Sequence, residues 1–241
     1  MLLWPVSLPA GPHPEPFQPG EKLSYTLKWE LIPVGSAVLE VAPVKKINRV
    51  DVFHFIMTAR TNSFADIFYK VRDRVDAYTD LEMASSVFYK KKQREGSHRR
   101  DVLIEFDRSK NEAHYTNFNK KEKPISIPPG TFDPLSAFYY LRRLDLKDNL
   151  TIELPVTDGK KLVVGKAVIV KREKLTLPGG VYDTFLVEPD IKDLGGVFQK
   201  SKNAKIQLWV SADPRHLLVK IKSRVIVGSF VGELTAAEGI K

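Results

Sequence analysis

The stretch Lys22-Leu23-Ser24-Tyr25-Thr26-Leu27-Lys28-Trp29-Glu30-Leu31 decides the fold. Leu23, Tyr25, Leu27, Trp29 and Leu31 alternate with Lys22, Ser24, Thr26, Lys28 and Glu30. Successive side chains of an extended strand point to opposite faces. The spacing therefore predicts five large apolar groups on one face and polar groups on the other, as in an antiparallel sheet with one wet face. A turn around Pro33 and Gly35 follows, and Ala37, Leu39 and Val41 resume the alternation.

Working outward, similar segments recur at 51–60, 71–79, 85–92, 101–107, 151–156, 162–171, 181–188, 204–211 and 216–231. Turn signals separate them: Gly96-Ser97, Asp158-Gly159, Pro178-Gly179-Gly180 and Asp213-Pro214. Asp158-Gly159, between two apolar runs, is the strongest hairpin signal. Many short strands with frequent turns predict an all-β, mainly antiparallel domain of sandwich or barrel type. No repeat or boundary divides residues 17–235, which read as a single β domain, with 236–241 as a C-terminal tail.

One helix interrupts the strands, at about 134–144. Asp133 is a good N-cap, and Pro134 takes the first helical position, where its missing N–H costs nothing. At 100° per residue, Leu135, Phe138, Tyr139, Leu141 and Leu144 form a broad apolar arc, and Arg142 falls inside it. A second, weaker helical turn is expected at 63–69.

Composition narrows the function classes. Of 241 residues, 43% are hydrophobic and 10% aromatic, enough for a sizeable core, so disorder is not expected. The net charge of +9 supports attraction to phosphates, acidic glycans or anionic headgroups. The absence of cysteine excludes disulfides, thiolate nucleophiles and Cys-ligated metals. No run reaches the roughly 20 apolar residues of a spanning helix. The start, Met1 to Ala10, resembles the tail of an export signal. Pro9, Pro12, Pro14, Pro16 and Pro19 keep the next residues extended, so 1–16 read as a signal remnant or Pro-rich tether.

Several of these pieces together resemble a known family. Phe17 to Tyr25, with Gly20, Glu21 and Leu23, followed by Gly35, is similar to the opening of the bacterial domain-of-unknown-function family 3108 (DUF3108). Asp133 to Arg142 resembles its central helix. Leu154-Pro155-Val156 with Asp158-Gly159 matches its next segment, and Trp209, Ser211, Asp213 and Gly228-Ser229 its C-terminal part. The resemblance spans about 17–235. It implies an exported bacterial protein with no assigned activity and no catalytic residues to carry over. Fold-level analogy to curved-sheet envelope proteins completes the expected architecture: a highly curved open barrel or spiral-like sheet wrapped around the 134–144 helix.

No catalytic motif emerges. His13, His54, His98, His114 and His216 form no i,i+4 pair, and there is no nucleophile elbow or phosphate loop. Acid pairs such as Asp73/Asp76 and Asp101/Glu105 admit a glycosidase reading, which sequence spacing cannot place across a substrate. The densest positive charge lies at 88–101, where Lys90, Lys91, Lys92, Arg94, Arg99 and Arg100 face two acids across a turn at Gly96. It reads either as an anionic-surface contact or as an edge hairpin kept soluble by its charge, and the second is favoured. Lys220, Lys222 and Arg224 form a basic ladder, which lines a groove beside Trp209 or is the wet face of the sheet, and the second is favoured. Arg142 must pair, snorkel or face a ligand, because an unpaired buried guanidinium is very costly. A structural carboxylate pair ranks first and a ligand anion second.

These readings predict a non-enzymatic periplasmic or envelope protein. It would bind a lipid, glycolipid or envelope polysaccharide in the sheet's concavity, with Tyr139, Tyr140, Arg142, Trp209, Lys220 and Lys222 as candidate ligand contacts. The alternatives are an assembly factor pairing through sheet edges, and an envelope hydrolase with paired carboxylates. No metal, cofactor or nucleic acid is expected. An envelope protein partner and peripheral contact with an anionic membrane are compatible with the chain.

Overall fold

The computed structural model describes residues 15–190, 205–225 and 228–241. The expected export remnant, apart from Glu15 and Pro16, lies outside these residues, as does the first residue of the 204–211 segment. The elements run β1 (Lys22–Trp29), β2 (Ile32–Ile47), β3 (Val50–Thr61), α1 (Ser63–Asp66), β4 (Arg72–Asp80), β5 (Ser86–Glu95), β6 (His98–Asp107), β7 (Glu112–Asn117), β8 (Lys120–Lys121) and β9 (Ile125–Ser126). Then come α2 (Pro134–Arg142), β10 (Thr151–Thr157), β11 (Leu162–Leu177), β12 (Gly180–Pro189), β13 (Lys205–Ser211), β14 (Leu218–Val225) and β15 (Gly228–Glu238).

All described strands join one antiparallel sheet. β1 sits at its middle, between β2 and β15. From there the ladder runs through β2 to β8 on one side and from β15 back to β10 on the other, with β9 beside β7. The sheet curls without closing into a barrel. Its two halves are tied by residues 131–132: Ser86 N donates to Thr131 O at 3.1 Å, and Phe132 N to Pro155 O at 2.9 Å. The β10–β11 turn then lies on β6 and β7. At Gly159, whose φ is +86°, a Cβ would sit 2.8 Å from the Tyr115 ring.

The curl gives the sheet an inner face, and α2 fills one end of it. Inward residues under the helix are almost fully buried: Val41, Phe55, Ala77, Tyr89, Ile104 and Tyr115 form one cross-strand row. Tyr139 of α2 stacks on Phe55 at 3.9 Å, and Phe17 meets both rings edge-on at 5.4 Å. Burying a side chain the size of Phe17 contributes about 1.5–3 kcal/mol. α2 starts where Asp133 Oδ1 accepts from Leu135 N and Ser136 N, both at 2.9 Å. It ends at Arg142, two residues short of expectation, with Arg143 as its C-cap.

Further expectations need correction, beginning with the turn at Pro33 and Gly35: both lie inside β2, and the chain turns at Glu30 and Leu31. The apolar face of 23–31 is buried only at Leu23 and Tyr25; Trp29 is 46% and Leu31 88% exposed, because β1 runs past the core. The 216–231 segment is two antiparallel strands, β14 and β15, paired from Lys220–Glu233 to Val225–Gly228. β15 continues to Glu238, paired with Lys22, so the expected tail at 236–241 begins as strand. β7 was not expected, yet Ala113 and Tyr115 alternate inward and pair with Phe106 and Ile104.

Candidate functional site

Away from α2 the inner face loses burial row by row, and we call this less covered part of it the cup. In the row Leu23–Leu39–Met57–Val75–Lys91–Val102, burial begins to loosen at Met57 and Lys91. In the next row, Ala37, Ala59 and Asp73 are half-buried beside buried Tyr25. Beyond it Leu27, Gly35 and Thr61 are half-buried. The opposite wall carries Leu154, Val156, Leu208 and Ile221, all half-buried. Gly232 lies in register between Leu27 and Ile221 on the inner face, where a Cβ would meet Ile221 at 2.8 Å and Leu27 at 3.3 Å.

One strip of the cup is charged. Lys91 projects inward between Val75 and Val102. Burial pushes its ammonium pKa down, and the like charge of Arg100 adds to this, while Asp73 and Glu95 oppose it. Asp73 lies beside it and accepts from Arg94 N at 2.8 Å. Burial, with a hydrogen bond to Glu95 and that residue's charge, raises the Asp73 carboxyl to about 6. Gln93 Nε2 orients Glu95 from 2.8 Å. An apolar wall thus faces a strip with two cations and two carboxylates, one of which titrates near neutral pH.

The expected site residues do not gather in one place. Tyr139 and Arg142 are fully buried on α2. Arg142 donates to both Glu21 oxygens, at 2.6 and 2.9 Å, and to the carbonyls of Pro16 and Arg215. Tyr140 is half-buried against Phe132, with ring centres 5.0 Å apart. The Tyr139 and Tyr115 hydroxyls are buried without a hydrogen-bond partner among the described residues. Trp209, Lys220 and Lys222 lie on the opposite, outer face: Lys220 pairs in register with Trp209 and Glu233, whereas their neighbours Ile221 and Leu234 point inward. Lys220 Nζ sits 5.6 Å over the Trp209 ring and 3.4 Å from Glu233, and Trp209 Nε1 donates to Glu173 at 2.9 Å.

The basic segment divides by strand alternation. Lys91 faces the cup, Lys90 and Lys92 face outward opposite Asp76 and Arg74, and Arg94 pairs with Arg99 near the hairpin tip. Arg100 Nε bonds His98 at 3.1 Å. A groove of about 480 Å³ lies on the outer face between Asn48, Phe88, Glu105 and His114. Of the charges beside it, Arg108 is paired with Asp80, and Glu112 lies 3.3 Å from His114.

A model of DUF3108, proteins of unknown function, matches residues 24–235. The chain belongs to the DUF3108 family. Among solved structures, this DUF3108 chain is similar to a β-barrel-like protein of the domain of unknown function DUF1849 from Brucella abortus. That likeness has a TM-score of 0.57 at 10% identity, over 92% of this chain and 98% of that one, and speaks for the fold alone. A candidate lipoprotein from Parabacteroides distasonis aligns at 14% identity and TM-score 0.36, over 92% and 97% of the two chains. A candidate exported protein with a YmcC-like fold from Bacteroides fragilis aligns at 9% and 0.34, with the same coverage. No curated protein matches significantly. Among the described residues, no helix is long and apolar enough to cross a membrane, and no three metal-ligating side chains converge.

Sequence reasoning did not find the Asp73–Glu95 pair of this DUF3108 chain. It paired Asp73 with Asp76, but three positions along a strand place the two on opposite faces. Asp76 instead takes His54 Nε2 and the Arg74 guanidinium on the outer face. Burial would raise its carboxyl, but those two partners hold it well below the usual range. The true partner of Asp73 comes from the β4–β5 register, which brings Val71 opposite Glu95. No spacing within the chain announces it.

Proposed function

We propose that the protein is a non-enzymatic binding protein of the bacterial envelope, which holds an anionic amphipathic molecule, a lipid or glycolipid, in the cup. The observation that carries this is the division of the open inner face into a half-buried apolar wall and a strip with inward-facing Lys91 beside Arg100. Apolar chains would lie on the wall, and the two cations would take the headgroup. Lys91, being poorly solvated, gains most from an anion.

Native mass spectrometry of protein purified from bacterial periplasm, followed by organic extraction, tests this reading. The expected result is a stoichiometric anionic lipid that is lost in Lys91→Met with Arg100→Gln. A bare protein that takes up no added envelope lipid would overturn it.

A second reading rests on Asp73 and Glu95: two interacting carboxylates, one near pKa 6, suit general acid–base hydrolysis of an envelope glycan. Hydrolysis of cell-wall or capsular glycans that Asp73→Asn abolishes would establish it. Uptake of lipid without turnover would exclude it.

A further inference from the structure

The rim of the cup carries a surface that the ligand site does not use. α1 and the turn after it expose Phe64, Ile67, Phe68 and Tyr69, with Ile67 and Phe68 at 77% and 75%. Beside them, Leu31 stands out from the β1–β2 turn at 88% exposure. These pieces are fixed together. Asn62 Nδ2 donates to Pro33 O at 2.8 Å, and Asn62 N donates to Val34 O at 2.9 Å. On the other flank, Gly96 N donates to Lys70 O at 2.9 Å, and Tyr69 packs against Gly96 so closely that a Cβ there would lie 2.6 Å from its ring.

That contact sets the apolar cluster against the cationic β5–β6 tip. Lys70, Arg94 and Arg99 are exposed there. Among the described residues Arg99 bonds only the carbonyls of Gly96 and His98, and no carboxylate pairs with it. Arg72 differs, being paired with Asp66 at 2.6 Å. A rigid cluster of exposed large apolar side chains is unusual on a monomer and marks an interaction site. Flanking by exposed cations selects an anionic partner whose apolar layer lies beneath its charge, which is the chemistry of a phospholipid surface.

We propose that this end of the molecule docks on an anionic phospholipid bilayer. Leu31, Ile67 and Phe68 enter the headgroup region, and Lys70, Arg94 and Arg99 lie against the phosphates. Docking rests on the rim's own chemistry and holds whether or not the cup carries a ligand. It would also turn the mouth of the cup toward the bilayer.

Vesicle flotation of the full chain tests this, with phosphatidylcholine vesicles that do or do not contain phosphatidylglycerol. Binding should require phosphatidylglycerol and weaken with salt. Ile67→Ser with Phe68→Ser should weaken it at least about tenfold, and Arg94→Glu about fivefold or more. Val181→Ser, at a residue 67% exposed on β12, should leave it unchanged. Failure to bind phosphatidylglycerol vesicles, or binding retained by the folded double variant, overturns the proposal. If the double variant does not fold, Phe68→Trp replaces it: a blue-shifted emission on those vesicles is expected, and an unmoved spectrum overturns docking. Self-association through these residues without vesicle binding would assign the surface to a second copy and overturn it equally.

Discussion

Glu21 and Arg142 stand 121 positions apart and meet as a two-pronged ion pair, with Nη1–Oε1 at 2.6 Å and Nη2–Oε2 at 2.9 Å. Glu21 immediately precedes β1 and Arg142 closes α2, so the pair fastens the central helix to the start of the middle strand of the sheet. The guanidinium also lies 5.5 Å from the Phe17 ring and 5.4 Å from that of Tyr139. Both charges are shielded from water, at 0% and 2% side-chain exposure. Fork-to-fork geometry and additional carbonyl acceptors are what such burial requires.

Removing one partner leaves the other charged and buried. Glu21→Ala is therefore expected to destabilise the fold by about 3–5 kcal/mol in urea unfolding. Glu21→Leu with Arg142→Met should recover most of that loss, because the pair competes with apolar packing of similar volume. A double variant as unstable as the single one would show that the pair does more than fasten the helix.

The Asp73 carboxyl, raised to about 6 against an ordinary value of 3.8, gives the second prediction. The unfolded chain releases this proton first, so ionisation costs stability as pH rises from about 4 to 6, and the cost is complete above 6. Asp73→Asn should leave stability near pH 4 unchanged and raise it at pH 7.5. Screening in a half-exposed site limits the gain to about 1 kcal/mol. Thermal melts across that pH range read the effect. A variant that is destabilised equally at both pH values would mean that Asp73 is held by contacts other than the Glu95 interaction.

The fold was legible where local chemistry and tertiary role coincide. Asp133-Pro134 announced α2 because capping is local, although the further bonds from Ser86 Oγ and Ser136 Oγ to Asp133 Oδ2, both 2.6 Å, were not. Gly96-Ser97 announced the β5–β6 hairpin for the same reason. The site was less legible, because it is a matter of register. Alternation says that Lys91 and Lys92 point apart, but not which of them faces a cup. The Lys220 ladder was read first as the wet face of the sheet and second as the lining of a groove beside Trp209; Lys220 and Trp209 lie together on the face opposite α2. Arg142 was legible as a problem needing a partner, and Glu21 is too distant in sequence to be read as the answer.

Gly232 separates the two readings of this end of the molecule. It lies on the inner face, where a Cβ would meet Ile221 Cγ2 at 2.8 Å and Leu27 Cδ2 at 3.3 Å. The Leu27 end can rotate but the Ile221 branch methyl is stiff, so Gly232→Leu should cost about 3 kcal/mol while filling the concavity. If the cup holds an acyl chain, the variant should lose its co-purifying lipid. It should still float with phosphatidylglycerol vesicles, because Leu31, Ile67 and Phe68 are untouched. Lipid retained at full stoichiometry would place the ligand outside the cup. Loss of both lipid and flotation would mean that the rim needs a loaded cup to keep its shape, and the two surfaces would then be one site.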